Sequence, residues 1–221
     1  MAQTSQPGFF ISFEGSEGCG KSTQIRLLDE TLRALGRPVT AVREPGGTKV
    51  GESLRHLLQH ADEGNGMAPE TELLLFAASR AQLVRQIIQP ALSAGQVVIS
   101  DRFLDSTTVY QGVARAIAAE KVQGVNEFAT GGLLPDITFL LDMDTSTALE
   151  RLSGRSGGRD RMEEEPLAFY EAVRAGYLAL AEKSPDRIKI IDASLSQTEI
   201  ARQIRAQLLL KSHALFEGIG S

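Results

Sequence analysis

The stretch Gly15-Ser16-Glu17-Gly18-Cys19-Gly20-Lys21-Ser22 follows the pattern G-x-x-x-x-G-K-[ST], the signature of a phosphate-binding loop (P-loop). The apolar run at residues 9–13 precedes it and predicts a buried strand. The residues after it predict an amphipathic helix, since four apolar side chains share one stripe: Ile25, Leu28, Leu32 and Leu35. Strand, glycine-rich loop and helix in this order bring backbone N–H groups and a helix N-terminus to one point. The sequence therefore predicts a site for a nucleoside triphosphate.

Three residues of this loop have separate predicted roles. Lys21 adds a full positive charge to the helix N-terminus, and the hydroxyl of Ser22 can coordinate Mg²⁺. Cys19 occupies a variable position of the pattern. Because no basic partner can be assigned to it, we interpret Cys19 as a small filler rather than a nucleophile.

The length and charge of the chain limit its class. Its 221 residues suffice for one sizeable α/β domain, and we find no repeat or linker that would divide residues 1–221. The formal net charge of -5 argues against a general nucleic-acid binder. No stretch approaches the roughly 18 apolar residues that span a bilayer, and residues 1–8 lack a signal pattern. A single cysteine excludes an intrachain disulfide. We therefore expect a cytoplasmic protein without a membrane segment.

Strand-like and helix-like segments alternate along the chain. Helical patterns lie between the apolar runs; the one at 69–94 is apolar over much of its surface and predicts a central helix, and the last lies at 196–210. Five runs predict strands: 9–13, 39–42, 96–100, 137–141 and 187–191. Buried strands joined by helices predict an α/β fold with a five-stranded, parallel, doubly wound sheet. Ligands of such sheets bind beyond the carboxyl ends of the strands.

Asp101 and Arg102 directly follow the third predicted strand. At that position the carboxylate of Asp101 can hold Mg²⁺ through water. The guanidinium of Arg102 can bind a phosphate through two parallel N–H groups. The alternative interpretation is structural: Asp101 and Arg102 form an ion pair at the end of the strand.

Three further segments each allow a structural and a functional interpretation. Residues 43–48, Arg-Glu-Pro-Gly-Gly-Thr, form a turn after the second predicted strand. Phe76 and Arg80 are four residues apart on one helix face, where they could stack on and hydrogen-bond a base. The apolar continuation of that face favours a core position for Phe76. Residues 154–161 form a glycine-rich loop with three arginines, which either closes over phosphates or lies in solvent.

Together these motifs resemble those of thymidylate kinases, the P-loop kinases that phosphorylate dTMP with ATP. The resemblance extends over about residues 9–192 and rests on these stretches: 13–23, 43–48 with Gly51-Glu52 and Leu54-Arg55, 76–80, 101–112 and 160–163. It implies a P-loop kinase architecture with a mobile lid at about 154–163, while the tail at about 211–221 matches nothing in it. It further implies ATP as phosphoryl donor, Mg²⁺ as cofactor, a homodimer and a part in dTTP synthesis.

The resemblance also implies roles for individual residues. To ATP it assigns Gly15, Ser16, Glu17, Gly18, Cys19, Gly20, Lys21, Ser22 and Thr23. To dTMP it assigns Glu17, Arg43, Pro45, Phe76, Arg80, Arg102, Thr107, Tyr110 and Gln111. Phe76 would stack on thymine, with Arg80 on its O4 and Thr107 facing its N3. Tyr110 would fill the space of a ribose 2′-hydroxyl, and Glu17 would lie near the 3′-hydroxyl. Arg43 and Arg102 would hold the phosphate.

The implied catalytic residues are Lys21, Asp101, Arg102, Arg155 and Arg159, and the implied metal ligands are Ser22 and Asp101. The variable part of the P-loop has no cation, and Glu17 there is negative, so the lid has to supply the charge. Either Arg155 or Arg159 takes this role in our hypothesis, with Arg161 tying Asp160 to the lid. Two alternatives stay open, a kinase for dUMP, dCMP or a guanine nucleotide, and a non-catalytic nucleotide switch. The Asn-Lys-x-Asp motif of GTPases is absent, which disfavours the switch.

Overall fold

The computed structural model describes residues 8–64, 66–153 and 161–216. In this part of the chain, five strands form one parallel sheet: β1 Phe9–Glu14, β2 Val39–Arg43, β3 Val97–Asp101, β4 Ile137–Asp142 and β5 Ile188–Asp192. Their order across the sheet is β2-β3-β1-β4-β5. The predicted strands and the predicted sheet are confirmed, and each strand boundary is correct to within one residue.

The central strand β1 explains why the apolar runs are continuous rather than alternating. It pairs with β3 on one side and β4 on the other, so both of its faces are covered. Phe10, Ile11 and Phe13 are accordingly almost completely buried. The register places Phe13 opposite Asp101. The P-loop after β1 and the acidic residue that ends β3 therefore share one edge of the sheet.

Helices cover both faces of the sheet: α1 Lys21–Ala34, α2 Lys49–Gln59, α3 Pro69–Leu83, α4 Gln89–Ser93, α5 Leu104–Thr107, α6 Ala119–Thr130, α7 Thr145–Ser153, α8 Leu167–Lys183 and α9 Gln197–Lys211. Two π-helical segments occur at Val84–Ile88 and Thr108–Ala114. Short 3₁₀ turns occur at Asp62–Gly64, Arg161–Glu164 and His213–Phe216. A search of the described helices finds none with the length and apolarity that crossing a membrane requires.

The helix predicted at 69–94 is continuous, but its hydrogen bonding changes from α-helical to π-helical at Val84–Ile88 and back to α-helical at Gln89. After α3, the N–H of Gln89 bonds to the carbonyl of Val84, five residues earlier, before α4 begins. Leu83, Val84 and Ile88 are fully buried and pack with Phe10 and Phe103. Because this segment is apolar on several faces, its sequence pattern does not show where the extra residue enters the turn.

The described part of the C-terminal tail contributes to the core. Leu215 and Phe216 are buried in the same apolar cluster as Leu28 and Leu208, which lie on α1 and α9. The guanidinium of Arg205 lies 5.6 Å from the centre of the Phe216 ring. The described part of the tail therefore packs in the apolar cluster that α1 and α9 form against the sheet.

Candidate active site

The P-loop wraps around the first turn of α1. Gly15, Gly18 and Gly20 adopt positive φ angles of 130°, 78° and 93°, which side-chain-bearing residues rarely adopt. A Cβ atom at Gly18 would lie 2.3 Å from the carbonyl oxygen of Ala148. Glycine is therefore required there by both the backbone angle and the close approach of α7.

Lys21 lies across the mouth of this loop. Its Nζ atom donates hydrogen bonds to the carbonyl oxygens of Gly15 at 2.9 Å and Ser16 at 2.8 Å, and its side chain is mostly buried. Since the ammonium group has three N–H donors, it can exchange these bonds for phosphate oxygens without moving far.

Ser22 and Asp101 meet where α1 begins and β3 ends. The Ser22 hydroxyl donates to Oδ2 of Asp101 at 3.3 Å. Hydroxyl and carboxylate oxygens are hard ligands, and Mg²⁺ is typically held by one or two such groups together with water and nucleotide phosphates. Within the described ranges no group of three or more His, Cys, Asp and Glu side chains could hold a metal ion alone. The pair therefore fits a magnesium ion that arrives with a nucleotide.

A cavity of about 610 Å³, which we call the donor cavity, opens in front of the P-loop. The sequence analysis assigned many of its lining residues to ATP, dTMP or Mg²⁺: Glu17, Gly18, Gly20, Lys21, Ser22, Thr23, Arg43, Asp101 and Arg102. Arg43 reaches it while its Nη2 atom contacts both carboxylate oxygens of Glu52 at 2.9 Å. Arg55 and Arg151 also line it, and the sequence analysis gave them no role. Arg151 donates to the carbonyl of Ala193 at 3.3 Å.

A second cavity, the acceptor cavity, adjoins the first. It is lined by Glu17, Glu44, Pro45, Gln59, Phe76, Arg80, Arg102, Ser106, Thr107, Tyr110, Gln111 and Met162. Its volume is about 40 Å³. Phe76 is only half-buried and forms part of the wall. The core position that its helix face favoured is therefore wrong, and the residue faces the cavity.

Arg80 is held rigidly in the wall of the acceptor cavity. Its guanidinium bonds to Glu44 at 2.7 and 2.8 Å, to Asn126 at 2.8 Å and to the Thr107 hydroxyl at 2.8 Å. Burial raises the pKa of Glu44 above its ordinary value, and the Arg80 cation acts against that rise. The second carboxylate oxygen of Glu44, Oε1, is buried without a hydrogen-bond partner in the described structure.

Glu17, Arg102 and Tyr110 form a cluster between the two cavities. Glu17 accepts from Nη2 of Arg102 at 2.6 Å and from the Tyr110 hydroxyl at 2.9 Å. Burial would raise the pKa of Glu17, but the cations of Arg102 and Lys21 outweigh it and hold that pKa below its ordinary value. Glu17 is therefore ionised, and the cluster carries one negative and one positive charge.

Gln111 connects the acceptor cavity to Arg161, the first described residue after the predicted lid arginines. Its amide donates to Oε1 of Glu72 at 2.8 Å, and Oε2 of Glu72 accepts from Arg161 at 2.7 Å. Arg161 also donates to the carbonyl of Leu58 at 2.9 Å, which anchors it on α2. Arg155, Arg159 and Asp160 lie outside the described residues. The structure thus brings together the other predicted site residues at the carboxyl edge of the sheet.

Comparison with known proteins identifies this arrangement. The model of the family described as thymidylate kinase matches residues 13–204. The chain belongs to the thymidylate kinase family. A thymidylate kinase of Caldanaerobacter subterraneus is 52% identical over 84% of this chain and 87% of that protein. One of Leifsonia xyli is 46% identical over 93% of this chain and 96% of that protein.

A solved structure agrees with these sequence relatives. The crystal structure of thymidylate kinase from Ehrlichia chaffeensis superposes with a TM-score of 0.74 at 34% identity. The match covers 91% of this chain and 99% of that one. As a thymidylate kinase, the protein is a nucleoside monophosphate kinase that phosphorylates dTMP with ATP for dTTP synthesis. The resemblance seen in its motifs is confirmed.

Proposed function

We propose that ATP binds in the donor cavity and dTMP in the acceptor cavity, and that the γ-phosphoryl group passes between them beside Arg102. One observation carries this arrangement. Glu17, Glu44, Gln59 and Arg102 line both cavities, so the two cavities are adjacent and share these side chains as their common boundary. Direct transfer needs such contact, because its rate depends on alignment and charge neutralisation more than on covalent chemistry.

On the donor side, residues 15–23 bind the ATP phosphates through backbone N–H groups and Lys21. The position of Lys21 over the loop carbonyls supports this role. Ser22 and Asp101 would hold Mg²⁺, and their mutual hydrogen bond supports that role too. When bound, the ion would neutralise charge on the β- and γ-phosphates.

On the acceptor side, Phe76 stacks on thymine while Arg80 and Thr107 face its polar edge. The Nη1 group of Arg80 gives one N–H to Asn126, which leaves its second N–H for the thymine O4. Pro45 and Gln111 complete this wall, which supports their assignment to dTMP. The acceptor phosphate is already ionised at neutral pH, so no general base has to remove a proton from it.

Around the phosphate and the sugar, Arg102 and Arg43 bind the dTMP phosphate. Tyr110 occupies the space of a 2′-hydroxyl, and Glu17 lies near the 3′-hydroxyl. Because Glu17 is ionised, it cannot offset the negative charge of the transition state. Arg155 or Arg159 from the lid supplies that cation in our proposal, and lid closure excludes water so that ATP is not hydrolysed.

We also propose a homodimer in the cytoplasm. Phe128 on α6 is 87% exposed and Leu74 on α3 is 57% exposed, and these two helices pack against each other. Contiguous exposed apolar patches mark interaction surfaces, and in our proposal Leu74 and Phe128 belong to one such patch. A two-fold contact between copies would bury both sides of this patch at once. The single cysteine fits a reducing compartment.

A side-by-side comparison of acceptors tests this proposal. We expect kcat/KM for dTMP to exceed the values for dCMP and GMP by at least about 100-fold, because their base edges mismatch Arg80 and Thr107. The kcat/KM for dUMP, which lacks only the methyl group, should lie between that for dTMP and those for dCMP and GMP. One methyl group in an apolar pocket contributes roughly 10- to 200-fold. A preference for any other monophosphate would overturn the assignment of the acceptor cavity.

A further inference from the structure

Glu14, the last residue of β1, is a fully buried carboxylate that lines neither cavity. Its Oε1 atom accepts a hydrogen bond from the backbone N–H of Phe103 at 2.8 Å. Its Oε2 atom accepts from the hydroxyls of Ser106 at 2.6 Å and Tyr177 at 2.8 Å. All three partners lie immediately around Arg102.

The backbone at Arg102 needs such support. Its φ angle is 70°, in the left-handed region that residues other than glycine rarely occupy. Its N–H bonds to the carbonyl of Phe13 at 2.9 Å, and its carbonyl accepts from the Ser100 hydroxyl at 2.6 Å. The bond from the N–H of Phe103 to Glu14 fixes the next peptide. Glu14 is thus one of three tethers that keep Arg102 in this conformation.

The side chain of Arg102 is held through the same carboxylate. Its Nη1 atom donates to Ser106 at 3.1 Å and to Tyr177 at 3.3 Å. Each hydroxyl has one hydrogen and two lone pairs, so Ser106 and Tyr177 can donate to Glu14 and still accept from Arg102. The two hydroxyls also lie 2.9 Å apart. Glu14 is therefore part of the network that orients the two hydroxyls that receive the guanidinium.

We propose that Glu14 is a positioning residue for the acceptor phosphate, which acts by aiming Arg102 at that phosphate through Ser106, Tyr177 and the peptide of Phe103. Glu14 does not touch the substrate. This inference rests on the proposed contact between Arg102 and dTMP. Phosphate affinity should depend on Glu14 more than base affinity does, because Arg80 has three shorter bonds, to Glu44, Asn126 and Thr107, beside one of 3.2 Å to the Phe103 carbonyl.

The test compares dTMP with thymidine, which has the same base and sugar but no phosphate. Calorimetric Kd values for both ligands are measured for the parent, Glu14→Gln and Tyr177→Phe. We expect dTMP affinity to fall by roughly tenfold or more in Glu14→Gln, because an oriented charge-assisted contact is lost, while thymidine affinity stays within about twofold. Tyr177→Phe, which removes a single hydroxyl, should show the same selectivity to a smaller extent.

Tyr170→Phe is the matched control. Tyr170 is also buried on α8, but its hydroxyl donates to the carbonyl of Met162 at 2.7 Å, away from Arg102. This variant should keep the parent's ratio of dTMP to thymidine affinity. Equal losses for dTMP and thymidine in Glu14→Gln and Tyr177→Phe, or no loss in either, would overturn the inference.

Arg102→Ala distinguishes failure of this inference from failure of the proposed function. If Arg102→Ala keeps the dTMP preference over thymidine, Arg102 does not bind the phosphate, and the proposed function is wrong at that point. If Arg102→Ala loses the preference while Glu14→Gln and Tyr177→Phe keep it, only the positioning role is wrong. In an Arg102→Ala background, Glu14→Gln should cause no further loss of dTMP affinity.

Discussion

Glu17 and Arg102 form an ion pair of 2.6 Å at the boundary between the donor and acceptor cavities. Both side chains are largely buried, at 16% and 15% exposure, so the pair is poorly screened by solvent. Glu17 belongs to the P-loop and Arg102 follows β3, so the pair joins the two halves of the site. In our proposal the dTMP phosphate shares Arg102 with Glu17, which would tie the position of the acceptor to that of the P-loop.

Tyr110 should enforce selection of deoxyribose by filling space. Its ring lies against Arg102, whose guanidinium carbon is 5.2 Å from the ring centre, and is almost fully buried. Tyr110→Ala should lower the kcat/KM ratio of dTMP over ribosylthymine monophosphate by about tenfold, since the obstacle to a 2′-hydroxyl is removed. Tyr110→Phe keeps the ring and should keep the ratio, although it loses the bond to Glu17. A ratio unchanged in Tyr110→Ala would reject the steric role.

The lid arginines should divide into a catalytic and an anchoring class. Replacing at least one of Arg155 and Arg159 by alanine should lower kcat with a loss of about 2–4 kcal/mol in transition-state stabilisation, with little change in dTMP binding. Arg161→Ala should instead lower the free energy of unfolding, because Glu72 loses its bond of 2.7 Å. Steady-state kinetics measure the loss of kcat, and thermal unfolding measures the loss of stability, so together they separate the catalytic from the anchoring arginines. A kcat within a few-fold of the parent in all single variants and the triple variant would refute the lid mechanism.

The exposed ring of Phe128 should be required for dimer formation. Phe128→Glu places a charge in the proposed contact and should give a monomer in sedimentation experiments at micromolar concentration, with its secondary structure intact. Leu210→Glu is the matched control, since Leu210 is 78% exposed on α9. A parent protein that sediments as a monomer, or a dimer that survives Phe128→Glu, would contradict the proposed interface.

Glu14 should make stability depend on pH. Burial, reinforced by the Asp105 carboxylate, raises the pKa of Glu14 from 4.5 to about 7, against the opposing effects of Arg102 and the Ser106 and Tyr177 hydroxyls. Arg187, bound to Asp105, is a further charge facing it. Because the folded pKa lies above the unfolded one, the folded state holds a proton that the unfolded state releases, and stability falls between pH 4.5 and 7.

Denaturant unfolding of Glu14→Gln at several pH values measures this contribution. The difference in unfolding free energy between variant and parent should shift in favour of the variant by up to about 3 kcal/mol from pH 5 to pH 8. Glu199→Gln is the control, since the bond from Arg202 lowers the pKa of Glu199 to about 2. A difference that is constant with pH would show that Glu14 does not titrate in this range.

The sequence predicts the sheet well because continuous apolar runs and the P-loop are local signals. Asp101 and Arg102 are predicted at the site because parallel strands end at one edge. Phe76 is misjudged from its helix face, since apolar neighbours favour the core and only the fold shows that the ring faces a cavity. Arg151 escapes notice because nothing local marks an arginine of α7 as facing the P-loop. The network of Glu14 depends on Tyr177, which is 163 residues away, and no sequence pattern conveys that contact.

Acceptor-dependent phosphoryl transfer tests most directly whether ATP and dTMP bind in the two adjacent cavities and react with each other. With γ-labelled ATP and Mg²⁺, the protein should release ADP rapidly only when dTMP is present, and the label should appear in dTDP. Lys21→Ala should lower kcat by about 100-fold or more with dTMP affinity largely kept, because Lys21 faces the donor phosphates in our proposal. Lys189→Ala is the control and should keep the parent's kcat, because the ammonium of Lys189 bonds to the carbonyl of Pro185 on the surface. ADP release at the same rate without dTMP, or tight nucleotide binding with no labelled dTDP, would contradict the account.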